Sequence, residues 1–306
     1  AVVAYPSMKL IKIPAYAKVN LCLDVLGQRP DGYHELRTIF QTISLHDTLA
    51  LETTKDRRID LSILGNFALA GEPGKTNLVF RALDELRREL GIKQGVRAVL
   101  TKRIPTGAGL GGGSSDAAAA LIGLLRLTKK RIEAARLMEI ASSLGADVPF
   151  FLRGGRALGI SRGNEIYPLP EVPRSAVLVI FPAGLAVPTR DAYQWLAETL
   201  TKGPDITKLF RFCALCWSPQ GGALSNDFEA AVFPRYPRLG EIKRELLRQG
   251  AAGASLAGSG SAVFGIYRNP AKARRAARAF PKDQVFVCST LSRAEYRRKL
   301  GGPDFA

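Results

Sequence analysis

Five glycines occupy the seven positions from Gly107 to Gly113, inside the stretch IPTGAGLGGGSSDAAAALIGLL at residues 104–125. Glycine loses more backbone entropy on folding than any other residue. So dense a run implies a need for bare backbone at that point. The Ala- and Leu-rich continuation is built from the strongest helix formers. It predicts a helix from Ser114 to about Arg126, with Ser114 or Ser115 as N-cap and Asp116 in the first turn. Ahead of the loop, VRAVLTKRIP alternates as a strand that Pro105 ends. Strand, glycine loop and helix N-terminus in series aim backbone N–H groups and the positive end of a helix dipole at one spot. That is phosphate-holding chemistry, the alternative being a flexible surface loop. A Walker A motif would need Lys followed by Ser or Thr after its last glycine, and here Gly113 is followed by Ser114, Ser115 and Asp116. The dinucleotide fingerprint is also absent, because no early βαβ unit with an acidic residue about twenty positions on frames the loop.

Three further segments carry side chains of chemical interest. Lys18 and Asn20 stand two residues apart near a strand start, followed by an RPDG turn and then Tyr33 and His34. A lysine on a strand is ordinarily a solvated charge, and a histidine beside a turn is ordinarily just polar. Asp147 follows a helix-ending Gly145 and precedes the apolar run Val148–Phe151. It is either a cap or turn residue, or a carboxylate base in a partly desolvated site. A second small-residue loop, Gly258–Ser261, leads into a strand.

The elements that must position these groups follow from periodicity. KLIKIPA, VNLCLDVLG, RTIFQTIS, DTLALETT and IDLSIL read as strands. NLVFRALDELRREL has helical spacing at Val79, Leu83, Leu86 and Leu90 and stops at Gly91, and RIEAARLMEIASSLG is a helix closed by Gly145. Later, AVLVIFP, SAVFGIY and QVFVCST read as strands, and PRLGEIKRELLRQG and PAKARRAARAF as helices. No fixed-period repeat is present. The pattern is that of an α+β protein of two intimately packed lobes, changing over near residue 164.

At 306 residues with 46% hydrophobic content, the chain can bury one large core or two ordinary ones. No apolar run approaches the roughly twenty residues that span a bilayer; the longest candidate, SAVLVIFPAGLAVP, is short and broken by Pro182. No membrane partner is expected. The start carries no secretory pattern, and the seven residues before Met8 read as an upstream extension. Four cysteines, Cys22, Cys213, Cys216 and Cys288, are too few for a disulfide scaffold and predict reduced thiols and a cytoplasmic protein. Cys213 and Cys216 form a lone C-x-x-C with neither a second pair nor a nearby histidine, which reads as structural or incidental rather than as a zinc site. The net charge is +17, with 24 basic against 15 acidic residues in 1–163 and 20 against 12 in 164–306. So even a spread attracts polyphosphates as readily as nucleic acid. A nucleic-acid binder would also want aromatics interleaved with Lys and Arg on a sheet face. None is seen, and no nucleic-acid partner is expected.

The stretch P105-TGAGLGGGSSDAA resembles the second motif of the GHMP kinases, the superfamily of galactokinase, homoserine kinase and mevalonate kinase. Together with AYAKVNLCLDVLGQRPDGYHEL, GADVPFFL and SLAGSGSAVFG, in that order, it is most similar to one branch. That branch phosphorylates the 2-hydroxyl of a cytidine-diphosphate-linked methylerythritol with ATP, in the non-mevalonate isoprenoid pathway. The DGYHEL phrase separates it from the others, and the similarity spans about residues 9 to 270.

The resemblance implies a two-lobed GHMP kinase fold with the active site in the cleft. Residues 1–163 would be the ATP-binding lobe, and 164–306 a lobe contributing to the substrate site. It implies Asp147 as catalytic base and Lys18 as its orienting partner. Pro105, Gly107, Ala108, Gly109, Leu110, Gly111, Gly112, Gly113, Ser114 and Ser115 would hold ATP. Asn20, Tyr33, His34, Tyr193, Gly258, Ser259 and Gly260 would line the place of the cytidine-diphosphate-linked substrate. Mg²⁺ is expected with the ATP, its ligands unassigned, and the enzyme is expected as a monomer or homodimer. Asp116 departs from many relatives, which marks it as a helix-dipole residue rather than a second base.

Overall fold

Alternating hydrophobicity over the first third produces two very long strands where the sequence suggests four short ones. The computed structural model describes residues 10–65, 74–199, 206–217 and 224–301. The opening extension and the predicted strand start at Lys9 lie outside the described residues. Strand β1 runs Ile11–Gln28 and β2 runs His34–Thr54, paired antiparallel from Ile11↔Leu51 to Gln28↔His34. Pro14 does not divide β1. Among the described residues the strand's other edge is paired only at Cys22 and Leu23, and an edge position tolerates a residue without an N–H. Continuity is kept by register shifts at Tyr16/Lys18, Asn20/Cys22 and Val25/Gly27. Bulges of this kind bend a strand and re-aim its side chains.

The first sheet is completed by β3 (Ile59–Gly65), β4 (Gly95–Lys102), β5 (Arg156–Ser161), β6 (Glu165–Pro168) and β8 (Ser225–Asn226). Its order is β3-β4-β2-β1-β8, and the β5–β6 hairpin pairs with the first part of β2. A division near residue 164 therefore falls inside a hairpin of this sheet. Sheet membership changes after Pro168, and β8 later returns to the first sheet. The second sheet is antiparallel, β11-β7-β10-β9, from β7 (Ala176–Phe181), β9 (Gly253–Leu256), β10 (Val263–Tyr267) and β11 (Gln284–Ser289).

Helices α1 (Leu78–Glu89), α2 (Gly112–Thr128), α3 (Ala134–Leu144) and α4 (Val148–Arg153) share a core with the first sheet. The carboxy-terminal α10 (Arg293–Leu300) joins them through Tyr296 and Leu300. Helices α5 (Thr189–Thr199), α7 (Phe228–Val232), α8 (Pro237–Arg248) and α9 (Pro270–Ala276) surround the second sheet, and α6 (Ile206–Trp217) packs toward β1. Period-two alternation sorts β7 between two cores: Leu178 and Ile180 face the helices, while Val177 and Val179 pack with Ala17, Val19 and Ile39 of the first sheet. The two sheets thus meet face to face, which fixes β1 beside the loops of the second sheet.

The alanine-rich run is a helix, but it begins earlier than its serines suggest. Gly111, at φ 71°, is the N-cap and no side chain caps the end. The expectation that Ser114 or Ser115 would cap it is overturned. Both lie within the first turn, because Gly112 and Gly113 are already helical. Helix α2 is buried on nearly every side, as a helix apolar all round must be. Its small residues bring it close to β1 and β2, where a methyl group on Gly123 would lie 2.5 Å from the Leu51 side chain.

Candidate active site

The glycine loop separates two cavities. One, of about 340 Å³, is lined by Pro105, Gly107, Ala108, Gly109, Leu110, Gly111, Gly112, Gly113 and Ser114, with Asn77, Leu78, Ile63 and Lys102 opposite. The other, of about 190 Å³, is lined by Lys18, Asn20, Thr38, Phe40, Asp147, Arg162, Thr189, Tyr193, Phe228, Gly258 and Ser259, and it shares Gly109 and Gly111 with the first. In α2 the first intrahelical bond is Ser115 N to Gly111 O at 2.9 Å. The N–H groups of Gly112, Gly113 and Ser114 precede it, which leaves them for an anion. Ser115 itself is buried and does not line the cavity.

Lys18 and Asn20, two residues apart on β1, point the same way into the second cavity. Lys18 is 4% exposed, and its Nζ donates to Asn20 Oδ1 at 2.8 Å and lies 3.4 Å from Asp147 Oδ2. Asn20 Nδ2 donates to Thr38 Oγ1 at 2.8 Å, and Thr38 Oγ1 donates to the Cys22 carbonyl at 2.7 Å. The chain Thr38–Asn20–Lys18 holds the ammonium in one place. Asp147 occupies the N-cap position of α4, yet its carboxylate makes no capping bond. Its side chain is 29% exposed, toward the cavity. A carboxylate not spent on its helix and paired with a buried lysine can accept a proton from a bound hydroxyl.

The loop after β9 closes against the glycine loop. Ala262 N donates to Ala108 O at 3.1 Å, and Lys18 N donates to Leu110 O at 3.0 Å. Gly258 and Ser259 reach the second cavity, whereas Gly260 does not line it. Asn226, which the sequence did not single out, donates from Nδ2 to Leu256 O at 2.8 Å and Gly258 O at 2.7 Å. It is one of the few buried polar side chains of the second half, and only the fold reveals what it supports.

Tyr193 lies against both aromatic neighbours, stacked on His34 at 4.7 Å and edge-on to Phe228 at 4.8 Å. Burial and the charge of Asp147 raise its hydroxyl above the usual tyrosine range, and burial lowers His34. His34 braces Tyr193 from behind rather than lining the cavity. Tyr33 is not brought into the lining either. It sits at the rim, 57% exposed, under the Arg162 guanidinium at 4.8 Å. Tyr33 belongs to the turn ahead of β2, which starts at His34, so the two neighbours are placed by different elements.

Asp116 is not a helix-dipole residue. It is buried, and its Oδ2 accepts from Lys102 Nζ at 2.6 Å, while Asp47 Oδ2 accepts from the same nitrogen at 2.5 Å. Asp47 Oδ1 also accepts from Arg103 N at 2.5 Å and Ile104 N at 2.8 Å, anchoring the start of the glycine loop. Burial, with the second carboxylate nearby, raises Asp116 well above the ordinary range against the pull of Lys102. Removing the only cation of the trio strands two buried carboxylates. Lys102→Met is expected to cost roughly 3–5 kcal/mol, as breaking buried pairs does, read from the urea unfolding midpoint. Adding Asp116→Asn should restore part of it, and an unshifted midpoint in the single variant would mean that Lys102 is not what holds this cluster together.

Cys213 and Cys216 are free thiols on α6. Among the described residues no three His, Cys, Asp or Glu side chains converge as a metal cage, and no helix is long and apolar enough to cross a membrane. The oxygens of Ser115 Oγ and Asp116 Oδ1 are buried at the α2 end without a hydrogen-bond partner among the described residues. They match the one or two protein oxygens that a Mg²⁺ carried by a polyphosphate takes.

Residues 77–155 match the GHMP kinases N terminal domain and residues 204–285 the GHMP kinases C terminal domain. The chain is 45% identical over 290 residues to the 4-diphosphocytidyl-2-C-methyl-D-erythritol kinase of Solibacter usitatus, covering 92% of this chain and 89% of that one. It is 41% identical to the enzyme of the same name from Pelotomaculum thermopropionicum, covering 91% and 97%. A crystal structure of 4-(cytidine 5'-diphospho)-2C-methyl-D-erythritol kinase superposes with a TM-score of 0.75 at 38% identity, covering 92% and 99%. Homoserine kinase from Cytophaga hutchinsonii shares the fold, with a TM-score of 0.73 at 21% identity over 95% and 97% of the two chains.

Proposed function

This chain belongs to the 4-diphosphocytidyl-2-C-methyl-D-erythritol kinase family of the GHMP kinases, and from that premise we propose how its own residues carry the reaction. It is an ATP-dependent small-molecule kinase that phosphorylates the 2-hydroxyl of the cytidine-diphosphate-linked methylerythritol in non-mevalonate isoprenoid synthesis. The observation that supports the residue assignment is the pair of cavities sharing Gly109 and Gly111, with the Lys18–Asp147 pair on one side of that partition.

The triphosphate lies along the glycine loop in the larger cavity, its charge met by the first N–H groups of α2. The alcohol lies in the smaller one, with its 2-hydroxyl at Asp147. Asp147 takes the hydroxyl proton as the oxygen attacks the γ-phosphorus, the bond to the bridging oxygen breaks, and ADP leaves. Lys18, fixed by Asn20, orients Asp147 and lends positive charge to the reacting oxygens. Tyr193 offers its ring to the cytosine, with His34 behind it, and Gly258 and Ser259 close the pocket. Ser115 and Asp116 would hold Mg²⁺, which when bound neutralises phosphate charge. The four free cysteines support a cytoplasmic site of action.

The test is a substrate panel. With ATP and the cytidine-diphosphate-linked alcohol, phosphorus NMR should show a new phosphomonoester and one ADP per turnover. Homoserine and mevalonate should react at least about 100-fold less efficiently, since a site built to hydrogen-bond a polar ligand leaves groups unpaired with a ligand lacking it. Comparable rates with either smaller alcohol would overturn the assignment.

A further inference from the structure

We propose that Arg162 recognises the diphosphate of the alcohol substrate and that the ring of Tyr33 is its resting place. This rests on the substrate reading above. Among the described residues two cations line the smaller cavity, Lys18 and Arg162. Lys18 is already committed to Asn20 and Asp147. Arg162 makes no ion pair among the described residues, and its guanidinium lies over the exposed Tyr33 ring at 4.8 Å. The charge of Arg162 helps hold Asp31 below the usual carboxylate range, but Asp31 is bound to Arg29 at 3.3 Å.

The surroundings of Arg162 are fixed while its head is not. Arg29 joins the two turns at the rim, donating to Glu35 Oε2 at 2.5 Å and to Ser161 Oγ at 3.1 Å. Gly163 N donates to Ile160 O at 3.0 Å and closes the β5–β6 turn. Only the side chain of Arg162 need move, and it leaves a cation–π contact that is weak at an exposed site. The Thr189 and Ser259 hydroxyls at this end lie 3.1 Å apart and bond each other, which leaves one O–H to offer a ligand but no charge. A diphosphate entering beside the Asp147 carboxylate needs a matching cation, and a guanidinium meets phosphate oxygens through two parallel N–H donors. Its departure uncovers one face of Tyr33, which turns a rim residue into a surface on which the cytosine can close.

The experiment uses the full-length enzyme with Arg162→Gln and Arg162→Lys. Arg162→Gln should raise KM for the alcohol substrate about tenfold or more, the worth of a charge-assisted bond. Its kcat should stay within about twofold, as expected for a contact made equally in ground and transition state, and KM for ATP should not move. CDP and cytidine are then compared as inhibitors competing with the alcohol. CDP should weaken by the same factor as KM, cytidine should not, and Arg162→Lys should recover part of the loss. Equal weakening of CDP and cytidine would assign Arg162 to the nucleoside, and unchanged inhibition by both would remove it from the site. Either outcome overturns the proposal while wild-type turnover stands. Absence of wild-type turnover on this alcohol would instead defeat the substrate reading itself.

Discussion

Asp147→Asn is expected to fold normally, to bind ATP normally, and to turn over roughly 10²–10⁴-fold more slowly, the usual worth of a positioned general base. The substitution is nearly isosteric. Because the Asp147 side chain makes no capping bond, α4 loses nothing at its start. Lys18 keeps its bond to Asn20 Oδ1, so the ammonium remains in place. What disappears is the acceptor proposed for the hydroxyl proton. ADP release measured by a coupled assay gives kcat, and calorimetry with a non-hydrolysable ATP analogue gives donor affinity. A kcat close to wild type would take Asp147 out of the base role. A fall in analogue affinity matching the fall in rate would instead place it in the donor cavity.

Gly109→Ala should be nearly as severe, for a reason the glycine pattern alone does not supply. Gly109 sits at φ 76°, and a methyl group there would lie 1.7 Å from the Ala257 carbonyl oxygen. An L-residue pays about 1–2 kcal/mol for a left-handed backbone, and a clash with backbone cannot be relieved by a rotamer change. The loop must lift. Lifting it strains the bonds from Ala262 N to Ala108 O and from Lys18 N to Leu110 O, so the glycine loop, the loop after β9 and Lys18 shift together. The expected result is at least a roughly 100-fold loss in kcat/KM for ATP, about 2.7 kcal/mol, with a lower melting temperature. Gly113→Ala is the control. Its methyl group would make only ordinary contact, 3.7 Å from the Leu78 side chain, and the backbone there is already helical. Equal damage in both variants would mean that any added carbon blocks the phosphates, and that packing against Ala257 is not the dominant demand.

The glycines from 107 to 113 therefore answer two needs, only one of them legible along the chain. Close approach of phosphate follows from a glycine loop entering a helix. The second need, room for another loop, depends on residues about 150 positions later. In the same way the alternation of β1 and β2 was readable, but their continuity was not. Pro14 and the turn-like residues between segments break a local pattern, whereas a ladder to a neighbouring strand, with bulges, carries the chain through them.

The sequence by itself determined the strand–loop–helix unit, the helical runs with their glycine stops, and, through the resemblance of four ordered segments, the family and the pairing of Lys18 with Asp147. Local periodicity and glycine placement act over a few residues, so they survive in one dimension. Tertiary structure alone decided the rest. It began α2 at Gly112 and turned Asp116 from a supposed dipole partner into one arm of a buried trio with Lys102 and Asp47. It set Tyr193 on His34 and left Tyr33 at the rim under Arg162. Each of these turns on which side chains from distant segments are desolvated together. A charge buried without a partner is costly, and which partner arrives is set by the packing of sheets and helices, not by the residues beside it in the chain.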